Sequence, residues 1–224
     1  MARYISFMAH FPNDLADKAT NIECDLGNLG NAAISRIHDK GYTVATGLTE
    51  YYAGSIALMA CQPHIQEYCP SDSTEARFGT LGSTRQWLQH DGGRGFFLLL
   101  EGRGDTGRLA GYGWAGVKHC DHLPDHPITS AYRIGQKALG KGLAKDFIQV
   151  VVSGTHAMYS DGEGIGLETW ESNRAAALYY QIGFTLLFES TEYELRPTLA
   201  NEGGVVLDRR LFMGYPSELL PRLQ

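Results

Sequence analysis

Residues 135–144, GQKALGKGLA, bring three glycines and two lysines into one short stretch. From Gly135 the spacing is G-x-x-x-x-G-K, the opening of a loop that wraps nucleoside triphosphates, but the next position is Gly142. Such a loop needs Ser or Thr there, because that hydroxyl ligates the magnesium ion. A glycine has nothing to offer the metal. What remains is a cradle of backbone N–H groups at a helix start, where glycines allow close approach and the helix dipole favours an anion without a required metal.

Two other stretches hold reactive side chains. HCDHLPDH, residues 119–126, gathers His119, Cys120, His122, Asp125 and His126. The spacing H-C-x-H-x-x-x-H matches no common zinc pattern, so a polar hairpin without metal is expected. A metal-dependent hydrolase is the reading if metal does bind there. The second stretch, SNRAAALYYQIGF at residues 172–184, places adjacent tyrosines, Tyr179 and Tyr180, on a predicted helix.

The elements that must position these residues follow from periodicity and breakers. A possible strand at Arg3–Phe7 and a helix near Asn31–His38 precede Gly41. YTVATGL then reads as a strand, Tyr51–Tyr68 as a helix interrupted near Pro63, and Thr80–His90 as a second helix closed by DGG. GFFLLLEG and LAGYGWAGV form a strand pair joined by RGDTGR, and ITSAYRI is a third strand, feeding the glycine-rich loop. A helix to about Tyr159 buries Leu143, Phe147, Val150 and Val151 on one face. Strand GIGLETW, a helix ended by Gly183, and strands FTLLFES and GGVVLDRRLF complete the chain.

Two segments in this order resemble the GNAT superfamily of acyl-CoA-dependent N-acyltransferases. The phosphate-binding signature of that family, Gln or Arg, two residues, Gly, one residue, then Gly or Ala, falls on Lys137-Ala138-Leu139-Gly140-Lys141-Gly142, with both glycines matching and Lys137 replacing Gln or Arg. The second signature falls on Ala175, Leu178-Tyr179 and Gly183-Phe184, with Ser172 at the place of its Asn and Asn173 beside it. The resemblance implies an α/β (α+β) fold, with a mixed, mostly antiparallel sheet of about six to seven strands flanked by about four helices. It implies a domain over residues 42–213, leaving residues 1–41 as an extension and 214–224 as a tail. Ile134, Lys137, Gly140, Lys141, Gly142, Leu143, Ala144 and Asn173 are then expected to contact acetyl-CoA, the acyl donor, with no metal.

The same resemblance implies direct transfer of an acetyl group to a primary amine in a ternary complex. An alkyl ammonium is neutral at pH 7 in only about one molecule in 2,500, a cost of about 4.6 kcal/mol that a general base helps to meet. Tyr179 takes the general-acid position. Proton transfer from a tyrosine to a thiolate is uphill by roughly 2 kcal/mol, so a hydrogen bond to the leaving sulfur is its first expected role. The pantetheine arm is expected along the strand before the loop, putting the thioester near Ser130–Tyr132 at about 3.3 Å per residue. Glu168 is the leading candidate base, and His119, His122 and His126 lie on the expected acceptor side. A CoA-binding module without catalysis is the alternative.

Composition sets the remaining bounds. At 224 residues, 43% hydrophobic and 20% charged, the chain is an ordinary globular protein, and a net charge of −6 argues against nucleic acid and favours neutral or cationic ligands. The longest apolar runs are far short of the roughly 20 residues of a membrane helix. Four cysteines without a C-x-x-C pair fit free thiols in a reducing compartment, and a cytoplasmic location is expected. The acceptor is a small-molecule or peptide amine without a readable motif. Tyr51, Tyr52 and Trp87 are candidates to line its site, with core packing the stronger expectation, and the final strands are candidates for pairing across a homodimer.

Overall fold

The computed structural model describes residues 5–8, 21–24, 27–46, 50–74, 77–90, 95–102, 107–117, 120–159, 164–198 and 204–215. A two-stranded antiparallel ribbon, β1 (Ile5–Met8) and β2 (Asn21–Cys24), leads into helix α1 (Gly27–Asp39). The main sheet contains β3 (Tyr42–Thr46), β4 (Gly95–Glu101), β5 (Arg108–Val117), β6 (Ile128–Ile134), β7 (Ile165–Trp170), β8 (Thr185–Pro197) and β9 (Val205–Tyr215). Between them run α2 (Glu50–Ala60), α3 (Pro63–Gln66), α4 (Leu81–His90), α5 (Ala144–Met158) and α6 (Ala175–Ile182). The expected mixed sheet is present, seven strands in the order β3-β4-β5-β6-β7-β9-β8. Every neighbouring pair is antiparallel except β6 and β7.

The run FFLLL explains why β4 sits deep in the sheet, since a strand covered on both faces needs apolar residues at every position. Phe97 and Leu99 face a cluster built with α1 and α5, containing Ile37, Phe147 and Val151. Phe96, Leu98 and Leu100 face a second cluster under α2 and α4, containing Ile56, Phe78 and Trp87. Tyr52 and Trp87 belong to this second cluster and Tyr51 is exposed, so packing accounts for the first two.

Helix α1 lies within the stretch set apart as an extension, and its Ala33, Ile34 and Ile37 share the α5 core with β3 and β4. Spacing of one, three and four residues makes this one helical face. Polar contacts reinforce the packing. Asp146 in the first turn of α5 is buried and receives Arg36 Nε at 2.7 Å and Lys40 Nζ at 2.8 Å. Edge strand β8 is long and solvent-facing, with Leu187, Tyr193 and Leu195 all exposed.

Candidate active site

Strands β6 and β7 pair only at their starts, Ile128 with Ile165 and Thr129 with Gly166, and then separate. Parallel neighbours bond at every second residue when they run together, so the sheet is split beyond Thr129. A cleft of about 560 Å³ follows this split, lined by Thr129–Ile134 of β6, Glu168–Trp170 of β7, and residues from α3, α5 and α6. An extended chain bearing amides can fill such a gap as an added strand.

At the C-terminal end of β6 the chain makes a single 3-10 turn over Gln136–Ala138 and enters α5 through the glycine-rich loop. Gly140 and Gly142 have φ of +75° and +68°, a conformation that costs other L-residues about 1–2 kcal/mol. No atom within 4 Å would meet a Cβ added at Gly140, so the loop surface is open. Among the described residues the N–H groups of Gly140, Gly142, Leu143 and Ala144 find no acceptor. Lys40 Nζ binds the Gly142 carbonyl at 2.6 Å, which fixes the loop from its outer side. Unpaired N–H groups at a helix start can accept an anion.

The side chains around the cradle divide. Ile134 and Ala144 line the cleft, Leu143 is buried in the α5 core, and Lys137 is exposed on the 3-10 turn. Lys141 turns to the Tyr42 hydroxyl at 2.7 Å and to Glu101 at 3.6 Å. Asn173 lines the cleft and caps α6, its Oδ1 accepting Ala175 N–H at 3.0 Å while its Nδ2 donates to Thr169 Oγ1 at 3.1 Å. Ser172 instead hydrogen-bonds Asp208 and Arg196. Asn173, one place along, is therefore the residue that occupies the cleft.

Tyr179 lines the cleft and is buried, its ring edge-on to Tyr132 at 5.8 Å and to Phe184 at 5.6 Å. Burial, and next the neighbouring Tyr132, holds the Tyr179 phenol protonated well above the ordinary tyrosine range. Tyr180 is half exposed, since one residue along a helix is a rotation of about 100°. Glu168 also lines the cleft, with Arg210 Nη1 at 3.2 Å from its carboxylate.

The histidine loop lies elsewhere. His122 stacks on Phe188 at 4.2 Å, and His126 packs against the backbone of Gly164, where a Cβ would collide with it. Neither lines the cleft, and His119 falls outside the described residues. Among the described residues no three His, Cys, Asp or Glu side chains are grouped to hold a metal ion, and no helix is long and apolar enough to cross a membrane.

No family model matches the chain, and no curated protein matches it by sequence. Solved structures do. The ribosomal-protein-S5-alanine acetyltransferase from Vibrio fischeri superposes with a TM-score of 0.59 at 16% identity, over 80% of this chain and 94% of that one. The chain has the GNAT fold. A spermidine N-acetyltransferase chimera from Vibrio cholerae and hSSAT gives 0.58 at 18% identity, over 80% and 96%. AAC(6')-Ib in complex with paromomycin and acetyl-CoA gives 0.53 at 18%, over 81% and 97%.

Within this GNAT fold, several residues in the cleft or buried beside it were missed by sequence reasoning. Asp72, wholly buried after α3, binds Arg133 Nε at 2.7 Å, Arg77 Nη1 at 2.9 Å and the Tyr112 hydroxyl at 2.9 Å. Burial alone would raise its carboxyl pKa, but Arg133, then Arg77 and Tyr112, outweigh it and hold the carboxyl below the usual range. Cys69 lines the cleft next to this group, and burial pushes its thiol up. His64 Nε2–H donates to the Ile134 carbonyl, 2.9 Å away, tying α3 to the end of β6. Only Tyr132 carried a sequence signal, since it falls in the segment expected to hold the thioester.

Proposed function

We propose that this protein transfers an acetyl group from acetyl-CoA to an amine. The observation that carries the reading is the split between β6 and β7, with an open N–H cradle at the α5 end and the Tyr179 phenol inside the cleft. The pyrophosphate of CoA sits on Gly140, Gly142, Leu143 and Ala144, and the pantetheine amides bond the free edge of β6 between Ser130 and Ile134. Asn173 and Ile134 contact the arm; Lys137 and Lys141 contribute positive charge near the phosphates.

The amine nitrogen attacks the thioester carbon, a C–N bond forms, and the C–S bond breaks as the electron pair leaves with sulfur. Tyr179 donates a hydrogen bond to that sulfur. Its raised pKa keeps the proton on oxygen, which suits stabilisation of the thiolate without full transfer. Glu168 receives the ammonium proton, directly or through water. Acetyl is the acyl group and the acceptor a primary amine, on a small molecule or a peptide. Free Cys61, Cys69 and Cys120 support a reducing, cytoplasmic setting, and the exposed apolar side chains of β8 support pairing of two copies.

The test is release of free thiol from acetyl-CoA against a panel of amines, with the acetylated product identified by mass. Amine-dependent release supports the proposal. Acetyl-CoA binding with no release on any amine overturns catalysis and leaves a binding module.

A further inference from the structure

The acceptor end of the cleft has a charge distribution that the net charge of −6 conceals. Tyr132 and Ile134 of β6 pack toward the α5 face of the sheet, whereas Ala131 packs into the α2–α4 cluster. Side chains two apart on a strand share a face, so Arg133 lies with Ala131. The N–H cradle opens at the start of α5, on the other face. A single cleft touches both, which separates Arg133 from the place where phosphates bind.

Arg77 reaches the cleft from beyond α3, with its guanidinium 5.7 Å from the centre of the Trp114 ring. One carboxylate serves both arginines. Asp72 Oδ1 accepts Arg77 Nη1, and Oδ2 accepts Arg133 Nε and the Tyr112 hydroxyl. Two guanidinium charges therefore face one carboxylate charge, and the group is left net positive. Asp72 is wholly buried, while 31% of the Arg77 side chain stays exposed. Among the described residues Arg77 Nε and Nη2 have no acceptor. The Asp72 bond and the Trp114 ring fix the guanidinium in advance, so its remaining donors are oriented for a planar, bidentate anion.

Resting on the acetyltransferase reading above, we propose that the acceptor amine also carries a carboxylate, as an α-amino acid does, and that Arg77, backed by Arg133, binds that carboxylate. Trp114 beside them provides an apolar wall for the acceptor side chain. The local charge thus selects against polyamines and other purely cationic acceptors, the opposite of what the whole-chain charge favours.

The experiment compares thiol release from acetyl-CoA with the common α-amino acids, their α-amides, and spermidine, using the full chain and its Arg77→Ala and Arg77→Lys variants. The amides have the more easily deprotonated amine, so a preference for the free acids cannot come from amine basicity. At least one amino acid is expected to exceed its amide by roughly tenfold or more in kcat/KM. Arg77→Ala should erase that ratio by raising KM for the acid, leaving kcat, the amide and acetyl-CoA affinity unchanged, and Arg77→Lys should restore part of it. Preference for amides or spermidine overturns the proposal, as does an Arg77→Ala effect of equal size on acid and amide. Weakened acetyl-CoA binding in Arg77→Ala would move the residue to the donor site and also refute it. Failure of the wild-type chain to bind acetyl-CoA would instead refute the acetyltransferase reading itself.

Discussion

Replacing Tyr179 with phenylalanine removes one oxygen from the centre of the cleft and leaves the ring. The ring keeps its edge contacts with Tyr132 and Phe184, at 5.8 and 5.6 Å, so the α6 packing survives. Loss of one buried hydroxyl should change stability by about 1 kcal/mol or less, against a typical stability of about 5–15 kcal/mol. Turnover is affected more. A hydrogen bond to a charged group contributes about 1.5–3 kcal/mol, and if Tyr179 makes it to the developing thiolate alone, kcat falls by about 10- to 150-fold. Because burial holds the phenol protonated well above its ordinary range, the wild-type profile should show no alkaline loss of kcat through Tyr179 up to about pH 9.5. The assay is steady-state thiol release at saturating acetyl-CoA, with acetyl-CoA affinity measured on the same preparations. Affinity should change by less than about threefold. A Tyr179→Phe variant with kcat within twofold of wild type would refute the role of the phenol at sulfur.

Other outcomes follow from the same geometry. Asp72→Asn leaves the largely covered Arg133 and its neighbour Arg77 without their shared countercharge, and should lower stability by about 3–5 kcal/mol in urea unfolding, a change below 1 kcal/mol contradicting the packing described. Glu168→Gln should reduce kcat/KM by about 10²- to 10⁴-fold if the carboxylate takes the ammonium proton, and the loss should shrink as pH rises toward the pKa of the amine; a pH-independent loss would point to positioning through Arg210. His126 and His156 are both held below the ordinary imidazole range by burial, so the unfolded chain binds more protons than the native one as the solution is acidified. Stability should therefore fall from about pH 7 to pH 5, and His156→Gln should flatten that slope of Tm against pH.

Local signals explain what was legible in the sequence. ITSAYRI gives β6 with both ends as expected, because the polar HCDHLPDH loop and Gly135 bound it. The cradle glycines and the Tyr179 face were readable because each depends on a few adjacent residues. Contacts between distant segments were not. Arg36, Lys40 and Asp146 meet across more than 100 residues, as do His64 and Ile134 across 70, with no spacing that announces either. The Asp72 group was hidden for the same reason, since an Asp in a Pro-Ser-Asp-Ser turn reads as solvated. Strand β8 runs longer than expected, to Pro197, because its outer part is mostly exposed and lacks alternation, and β9 runs on to Tyr215 because Met213 and Tyr215 are buried in the cluster under α6, a contact with no local signal. The displaced Asn was resolved only by the structure, which turns Ser172 to Asp208 and leaves Asn173 in the cleft.

The central claim is that the Gly140–Ala144 cradle holds the pyrophosphate of CoA. Calorimetric titration of the purified chain with acetyl-CoA, in parallel with ATP and magnesium ion, tests it most directly, with Gly142→Asp as control. At φ +68° an aspartate adds strain, bulk and negative charge where the pyrophosphate would lie. Micromolar binding of acetyl-CoA by wild type, none by Gly142→Asp, and no heat with ATP is the predicted result. Absence of acetyl-CoA binding by the wild-type chain, or undiminished binding by Gly142→Asp, would contradict it.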